Sequence, residues 1–138
     1  MRLFLDSNVW VAALGTSGLC LDLVETAIGL DDASQVVLLT CPAAGTEILR
    51  ILANKFHLST TEIETTRALL DRMRQVPDGA GSPPSGFPDP DDWPIIAAAL
   101  AAGADLFVTG DKALLDLGEI EGLPIRSPRD AYILLRGL

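Results

Sequence analysis

The sequence predicts an α/β domain with a mainly parallel central sheet of about four or five strands and helices on both faces. Three observations indicate this class. Short apolar runs, as at 2–5, 36–40 and 106–109, are typical of strands buried on both faces. Longer segments with helical periodicity lie between these runs. The two patterns alternate along the chain, which is typical of parallel strands joined by helices.

The first half of the chain shows this alternation most clearly. The run Arg2–Leu5 stops at Asp6-Ser7-Asn8, a sequence typical of a strand that leads into a capped helix. Ser59 and Glu62 have the spacing of a capping box, and Pro77 is expected to end the helix that they begin. The elements expected between these points are a helix at about 19–28, a strand at 36–40, a helix at about 42–55 and a helix at about 60–75.

The second half begins with a segment rich in Gly, Pro and Ser, residues 76–90, which contains few apolar residues. It is predicted to be a long surface loop that borders a site. The elements expected after it are an Ala-rich helix from Asp91 to Ala102, a strand at 106–109, a short helix after Asp111, a strand at 124–126 and a helix from Pro128 to about Arg136. At 138 residues the chain has the size of one domain, so residues 1–138 are assigned to a single domain.

Composition excludes several classes of function. Ten basic and 19 acidic residues give a net charge of −9, the wrong sign for passive adhesion to nucleic acid. His57 is the only histidine, which excludes His-based triads and His-rich zinc sites. No apolar run has the length of a membrane span, and Cys20 and Cys41 lack metal-ligand spacing. A cytoplasmic protein without a membrane partner is therefore expected.

Three acidic residues occupy the places where α/β proteins carry their sites. Asp6 and Asp111 each follow a predicted parallel strand, so both are expected at the same edge of the sheet. Asp92 opens the Ala-rich helix on its packing side. Taken alone, each of them is explained equally well as a helix cap, which stabilises by about 0.5–2 kcal/mol.

Glu47 is more informative because it lies inside a predicted helix, where capping does not explain it. It falls at the edge of the apolar stripe, so a partner is expected: either a salt bridge to Arg50 or Lys55, or a functional site. Carboxylates that converge repel one another unless a cation or protons intervene. Four acids with no Cys or His ligand favour a hard ion such as Mg²⁺ or Mn²⁺.

Four segments in this order resemble the signature of PIN domains, and in particular the toxin-type PIN proteins of bacterial and archaeal toxin–antitoxin systems. The similarity extends over nearly the whole chain. Trp93-Pro94 and the long loop depart from the family's pattern. The segments are Phe4-Leu5-Asp6-Ser7-Asn8-Val9-Trp10, Thr46-Glu47-Ile48-Leu49-Arg50-Ile51-Leu52, Asp89-Pro90-Asp91-Asp92 with Ile95-Ile96-Ala97-Ala98-Ala99, and Thr109-Gly110-Asp111-Lys112 with Leu114-Leu115-Asp116-Leu117.

The resemblance implies a single PIN-like domain and a metal-dependent endoribonuclease that uses Mg²⁺ or Mn²⁺. It also implies an RNA substrate and a cognate antitoxin protein as partners. The catalytic and metal-binding residues would be Asp6, Glu47, Asp92 and Asp111. The residues expected to support them are Ser7 and Thr109, as hydroxyl groups beside the acids, Asn8, bonded to local backbone amides, and Asp116 and Asp91 at the margin.

Two other functions are compatible with parts of this pattern. An aspartyl-phosphate protein is disfavoured because no second acid stands two residues after Asp6. A catalytically silent PIN-fold module that holds a basic protein partner is the stronger alternative.

The apolar content, with a mean hydropathy of +0.33, exceeds what one small core consumes. Helices at about 19–28 and 60–73 are therefore expected to pair with a second copy, as a homodimer, or with an antitoxin.

Phosphates flanking the cut bond are expected to contact Lys112, Arg126 or Arg129.

Overall fold

A six-stranded sheet forms the centre of the structure, a computed structural model that describes residues 1–138. Every neighbouring pair is parallel except β5, which is antiparallel to β6. The α/β class and the mainly parallel sheet are confirmed. The strands, in spatial order, are β3 (Arg74–Gln75), β2 (Val37–Thr40), β1 (Arg2–Leu5), β4 (Leu106–Val108), β6 (Leu123–Arg126) and β5 (Glu119–Ile120).

The expected count of four or five strands was too low because both edge strands were missed. β3 and β5 each have two residues, too few to show any alternation of apolar and polar side chains. β3 also lies inside the segment expected to be helical as far as residue 75. That helix ends at Asp71, Met73 turns into the core, and Arg74 pairs with Leu39 of β2.

Seven helices cover the sheet, and a single 3-10 turn at Pro90–Asp92 precedes the fifth. Ser59 and Glu62 form the expected capping box. The helix that Asp6 caps is apolar on all sides, and most of its side chains are buried, so it has little periodicity. The helices are α1 (Ser7–Gly15), α2 (Leu19–Asp32), α3 (Pro42–Lys55), α4 (Thr60–Asp71), α5 (Trp93–Ala101), α6 (Lys112–Leu115) and α7 (Pro128–Arg136).

The strands are buried on both faces because successive side chains enter two different cores. Leu3 and Leu5 of β1 pack with α1, α2 and α7, whereas Phe4 packs with α5 on the other face. Phe4 also stacks on Phe107 of β4 with ring centroids 5.5 Å apart. This two-sided packing explains why the strands appear in the sequence as continuous apolar runs.

The loop over 76–90 follows the surface as expected, but it is tied down more firmly than its composition indicates. Asp78 Oδ1 accepts a hydrogen bond of 2.8 Å from the Ala43 amide in the first turn of α3. The Gly79 amide donates to the Pro94 carbonyl at 2.9 Å. The Phe87 ring meets the Trp93 ring edge-on at 5.3 Å. The loop therefore joins the beginnings of α3 and α5.

The apolar faces of α2 and α4 contribute to the core, and the pairing of these helices with a second copy or an antitoxin stays a prediction. Leu23, Val24 and Ala27 of α2 and Leu70 of α4 are buried in the core. α4 presents none of the exposed large apolar side chains, which are Met1, Leu19, Leu117, Ile133, Leu134 and Leu138. No single helix is long and apolar enough to cross a membrane; only α1 and α2 taken together meet that test, as a pair bent by 107°.

Gly79→Ala is expected to destabilise the fold by about 1–3 kcal/mol through overpacking. A Cβ at Gly79 would lie 2.2 Å from Ala97 Cβ and 2.5 Å from backbone atoms of α5, which cannot move aside independently. Gly29→Ala is the matched control, because a Cβ there meets nothing within 4 Å and should stabilise α2 slightly. Equal midpoints for both variants in urea unfolding would contradict this account of the loop.

Candidate active site

Asp6 stands at the carboxyl end of β1, where its carboxylate is almost fully enclosed. It is 9% exposed and occupies the N-cap of α1. Its Oδ1 accepts from the Ser7 amide at 2.8 Å, and its Oδ2 accepts from the Thr109 hydroxyl at 2.8 Å. The buried charge is thus held in place by donors from two adjacent strand ends.

Asn8 and Thr109 connect the ends of β1 and β4. Asn8 Nδ2 donates to Asp6 Oδ2 at 3.2 Å and to Thr109 Oγ1 at 3.1 Å, and Asn8 Oδ1 accepts from the Gly110 amide at 2.8 Å. Thr109 Oγ1 also accepts from the Asp111 amide at 3.0 Å. The expectation that Asn8 bonds only local amides was wrong, because its backbone partner belongs to the neighbouring strand end.

The other three acids reach the same region from separate elements. Asp111 caps α6 through Oδ1, which accepts from the Ala113 amide at 2.9 Å. Glu47 of α3 accepts a 3.3 Å hydrogen bond from the Ser7 hydroxyl. Asp92 occupies the N-cap position of α5, but its carboxylate makes no capping bond. Capping therefore explains Asp111 in part and leaves Asp92 unexplained.

The alternative partners proposed for Glu47 are not used. The ion pairs of the structure are Arg67–Glu64, Arg72–Asp32 and Lys112–Asp116, so Glu47 is paired with neither Arg50 nor Lys55. Its carboxylate faces the acids instead, where its negative charge raises the pKa values of Asp6 and Asp92.

The electrostatics of these acids show that the structure brings them together. Burial raises the pKa of Asp6 from 3.8 to about 6, against the opposing effect of the Thr109 and Ser7 hydrogen bonds, and the charges of Glu47 and Asp111 raise it further. Burial likewise raises the pKa of Asp92 to about 6, and the charges that add to it are those of Asp6, Asp89, Asp111 and Glu47. Asp92 therefore experiences the other three predicted acids at once.

A cavity of about 520 Å³, here called the acidic cavity, opens beside Glu47 and Asp92. Three of its charged residues were not predicted as site residues. Asp89 was visible in the Asp89–Asp92 segment, and its charge raises the pKa of Asp92. Arg50 was expected only as a possible partner of Glu47, and Asp78 gave no signal, because their positions at the cavity depend on the rotation of α3 and on the path of the loop. The lining residues are Pro42, Ala43, Thr46, Glu47, Arg50, Asp78, Asp89, Asp91 and Asp92.

The two marginal acids differ in position. Asp116 lies outside the group of four predicted acids. Both of its carboxylate oxygens accept hydrogen bonds from Lys112 Nζ, at 3.0 and 3.1 Å, and both side chains are exposed. Asp91 is exposed and lines the acidic cavity, but it is not among the charges that raise the pKa values of Asp6 and Asp92.

The oxygen donors of these side chains are the kind that a hard divalent ion prefers. The carboxylates are nevertheless too far apart to share one ion. All of the converging donors are carboxylate oxygens, and a bound cation would offset the burial and the like charges that raise the pKa values of Asp6 and Asp92. No group of three or more Asp, Glu, His or Cys side chains is close enough, as they stand, to hold a metal ion. Binding therefore requires carboxylates to move inward, and the residues that would hold the ion are Asp6, Glu47, Asp92 and Asp111.

Fold and site together define a nuclease-type α/β domain with an acidic centre at the carboxyl edge of its sheet. The chain belongs to the PIN domain family, whose model matches residues 2–113, from the start of β1 into α6. This match includes all four predicted acids. PIN domains are generally nucleases that use divalent metal ions. No curated protein matches the sequence significantly.

The metal-free protein is expected to lose stability as the pH rises from about 4 to about 6. An acid whose pKa is 3.8 when unfolded and about 6 when folded binds its proton more tightly in the folded state. For Asp6 the resulting loss at neutral pH is about 3 kcal/mol, at about 1.4 kcal/mol per pKa unit. Urea unfolding in EDTA across this range measures it. Asp6→Asn should flatten the dependence of the unfolding free energy on pH, and Asp116→Asn should leave it unchanged. If Asp6→Asn left this dependence unchanged, the raised pKa would not belong to Asp6.

Proposed function

We propose that this protein is an endoribonuclease dependent on Mg²⁺ or Mn²⁺, and that it serves as the toxin of a toxin–antitoxin pair. The observation that carries the proposal is the mutual repulsion of Asp6, Glu47, Asp92 and Asp111, which reach one region from four different elements. Such crowding lowers stability, so a functional need for it is the simplest explanation.

The proposed roles of the acids follow from their contacts. Asp6 is the fixed member, because hydrogen bonds hold both of its oxygens. Asp92 and Asp111 each keep at least one carboxylate oxygen without a hydrogen bond, so both can turn toward a cation. Glu47, held only by Ser7, completes the set or orients water. When bound, the ion supplies a water of lowered pKa and stabilises the departing oxygen of the phosphodiester.

Ser7, Asn8 and Thr109 are proposed to position Asp6 and Glu47 without touching substrate. Their side chains form one connected set of hydrogen bonds between the ends of β1 and β4. Groups that orient a metal-binding carboxylate in this way typically change metal affinity or activity by about 10–100-fold when they are removed.

Two of the three basic residues expected to contact phosphates are engaged elsewhere, and the third, Arg129, does not line the acidic cavity. Lys112 is paired with Asp116, and Arg126 Nη1 donates to the Gly118 and Ile125 carbonyls at 2.8 Å. Arg50 lines the acidic cavity and belongs to none of the ion pairs. Arg50 is therefore the better candidate to hold a phosphate of the strand.

A silent binding module remains the second candidate, and one observation favours it: the carboxylates do not stand at metal-ligand spacing. In that case the acidic cavity would hold a basic segment of a partner protein, for which Arg side chains suit paired carboxylates. Cleavage of RNA separates the two candidates.

The proposal includes two partners and a location. An antitoxin would place a basic side chain in the acidic cavity and exclude the ion. A second copy would cover the outer face of α7, where Ile133 and Leu134 are 63% and 45% exposed, together with Leu138 just beyond the helix, which is 56% exposed. This face is added to those of α2 and α4 as a candidate dimer contact. The proposed RNA substrate implies a cytoplasmic protein, which agrees with the free thiols of Cys20 and Cys41.

Purified protein is expected to cut fluorescently labelled single-stranded RNA with Mn²⁺ or Mg²⁺ and to stop in EDTA. Asp6→Asn and Asp92→Asn should each lower kcat/KM by more than about 100-fold, and Thr109→Val by about 10–100-fold. Asp116→Asn is the control and should cut at the wild-type rate, since Asp116 is exposed and paired with Lys112.

The same samples give a second readout that does not depend on turnover. Mn²⁺ should raise the melting temperature of the wild type, because it binds only the folded state, and the rise should shrink in Asp6→Asn. Binding of a basic partner without any metal-dependent cleavage would favour the silent module instead.

The dimer proposal predicts that the protein scatters light as a dimer at micromolar concentration. Ile133→Lys should yield a monomer, because a charge placed at the centre of the α7 face opposes its burial. Ala68→Lys, on the exposed surface of α4, is the control. A wild-type monomer at high concentration would exclude the homodimer and leave the antitoxin as the protein partner.

A further inference from the structure

The sheet has an open edge at β3, the first strand in its spatial order. The Val76 amide, just after β3, donates to the Thr40 carbonyl of β2 at 2.9 Å. Because the backbone groups of successive strand residues point alternately to the two sides of a strand, the amide and the carbonyl of Gln75 point away from β2. A segment that pairs with Gln75 would therefore extend the sheet by one short strand.

A cavity lies beside this edge on each face of the sheet, and Val37, Arg74 and Gln75 line both cavities. The smaller one, of about 220 Å³, is here called the arginine cavity. It reaches Leu39, which belongs to the core on the α5 side of the sheet. The larger one, of about 420 Å³, reaches Met73, which belongs to the core on the opposite side. Successive side chains of an added strand would enter the two cavities alternately.

The arginine cavity is positively charged in a protein with 19 acidic and ten basic residues. Arg2 and Arg74 line it, no Asp or Glu lines it, and neither arginine belongs to an ion pair. Arg2 Nη1 donates to the Ala102 carbonyl at 2.5 Å, which holds the guanidinium beside the cavity. Asp105 accepts from the backbone amide of Arg2 rather than from its guanidinium. The cavity therefore offers two guanidinium groups to a carboxylate or a phosphate.

The rest of the lining favours a peptide carboxylate over RNA. Val37, Leu39 and Val76 give the arginine cavity apolar walls, and neither cavity has an aromatic side chain on which a base could stack. Asp31 lines the larger cavity, where its charge would repel a further phosphate of the same strand. A glutamate side chain suits the arginine cavity, because its methylene groups can pack on the apolar walls while its carboxylate reaches the two arginines.

We propose that the open edge at β3 binds an extended, glutamate-containing segment of a partner protein, which pairs with Gln75 and places its carboxylate against Arg2 and Arg74. In this mode of recognition, main-chain hydrogen bonds supply affinity and pockets for alternate side chains supply specificity. The residues next to the glutamate would be apolar, since Val36 and Met73 line the larger cavity. Neither cavity shares a lining residue with the acidic cavity, so this inference does not depend on the proposed function.

Fluorescence anisotropy with two labelled peptides, Ser-Thr-Val-Glu-Val-Thr-Ser and its counterpart with Gln in place of Glu, tests the proposal on the full chain in EDTA. The wild type should bind the Glu peptide roughly tenfold more tightly, because a hydrogen bond to a charged acceptor is about twice as strong as a neutral one. Arg74→Gln should remove this preference. Arg67→Gln is the matched control: it makes the same change of charge at an exposed side chain that lines neither cavity. If the wild type bound the two peptides equally, or bound neither, the proposal would be wrong.

Hydrogen exchange followed by NMR tests the strand pairing separately. The Glu peptide at saturation should slow exchange of the Gln75 amide by roughly tenfold or more, because that amide gains an acceptor. The Val76 amide should be unchanged, since it is already bonded to Thr40. If the bound peptide left exchange at Gln75 unaltered, pairing with β3 would be excluded.

Other occupants of this edge give different results. If single-stranded RNA lost affinity in Arg74→Gln while neither peptide bound, the arginine cavity would hold phosphate groups and the peptide proposal would be overturned. If the wild type were a dimer that Arg74→Gln converted to a monomer, a second copy would cover the edge instead. None of these measurements needs a metal ion or cleavage. Failure here therefore leaves the proposed function intact, and failure to cut RNA leaves this inference intact.

Discussion

The structure depends above all on the burial of one carboxylate, that of Asp6, among other acids. Burial and the charges of Glu47 and Asp111 oppose its ionisation, while bonds from Ser7 and Thr109 support it. The neighbouring side chains at the carboxyl edge of the sheet bond either to Asp6 or to the groups that contact it. Asn8 satisfies both Asp6 and Thr109, and Ser7 reaches across to Glu47. The site thus carries a cost in stability that a cation would relieve, which is the usual balance at a functional centre.

Parallel strand order makes this arrangement possible. β1 and β4 are neighbours although more than a hundred residues separate Phe4 from its register partner Phe107, and both strands end at the same edge. Asp6 follows the end of β1 directly, and Asp111 lies three residues after the end of β4. Glu47 and Asp92 come from helices, so their distance from the strands depends on how α3 and α5 begin. Asp78 and Gly79 fix those beginnings, one bonded to the first turn of α3 and the other to the first turn of α5. The loop that borders the acidic cavity also sets its width.

The net charge of the chain constrains how it could hold RNA. A chain with a net charge of −9 repels a polyanion, so any attraction of RNA to this protein must be local. In the acidic cavity, the proposed ion and Arg50 would provide that attraction.

The sequence alone determined the α/β class, the positions of β1, β2, β4 and most helices, and the four acids, because these depend on local periodicity, capping and short motifs. It did not determine the edge strands β3 and β5, which are too short to carry a pattern and exist only through pairing with a neighbour. It was wrong about the partner of Asn8, and it did not indicate that Asp78 and Arg50 line the acidic cavity. Those features depend on which distant segments meet, such as the Asn8 side chain with the amide of Gly110. Contacts between distant segments produce no local pattern in the sequence, so only the tertiary structure decides them.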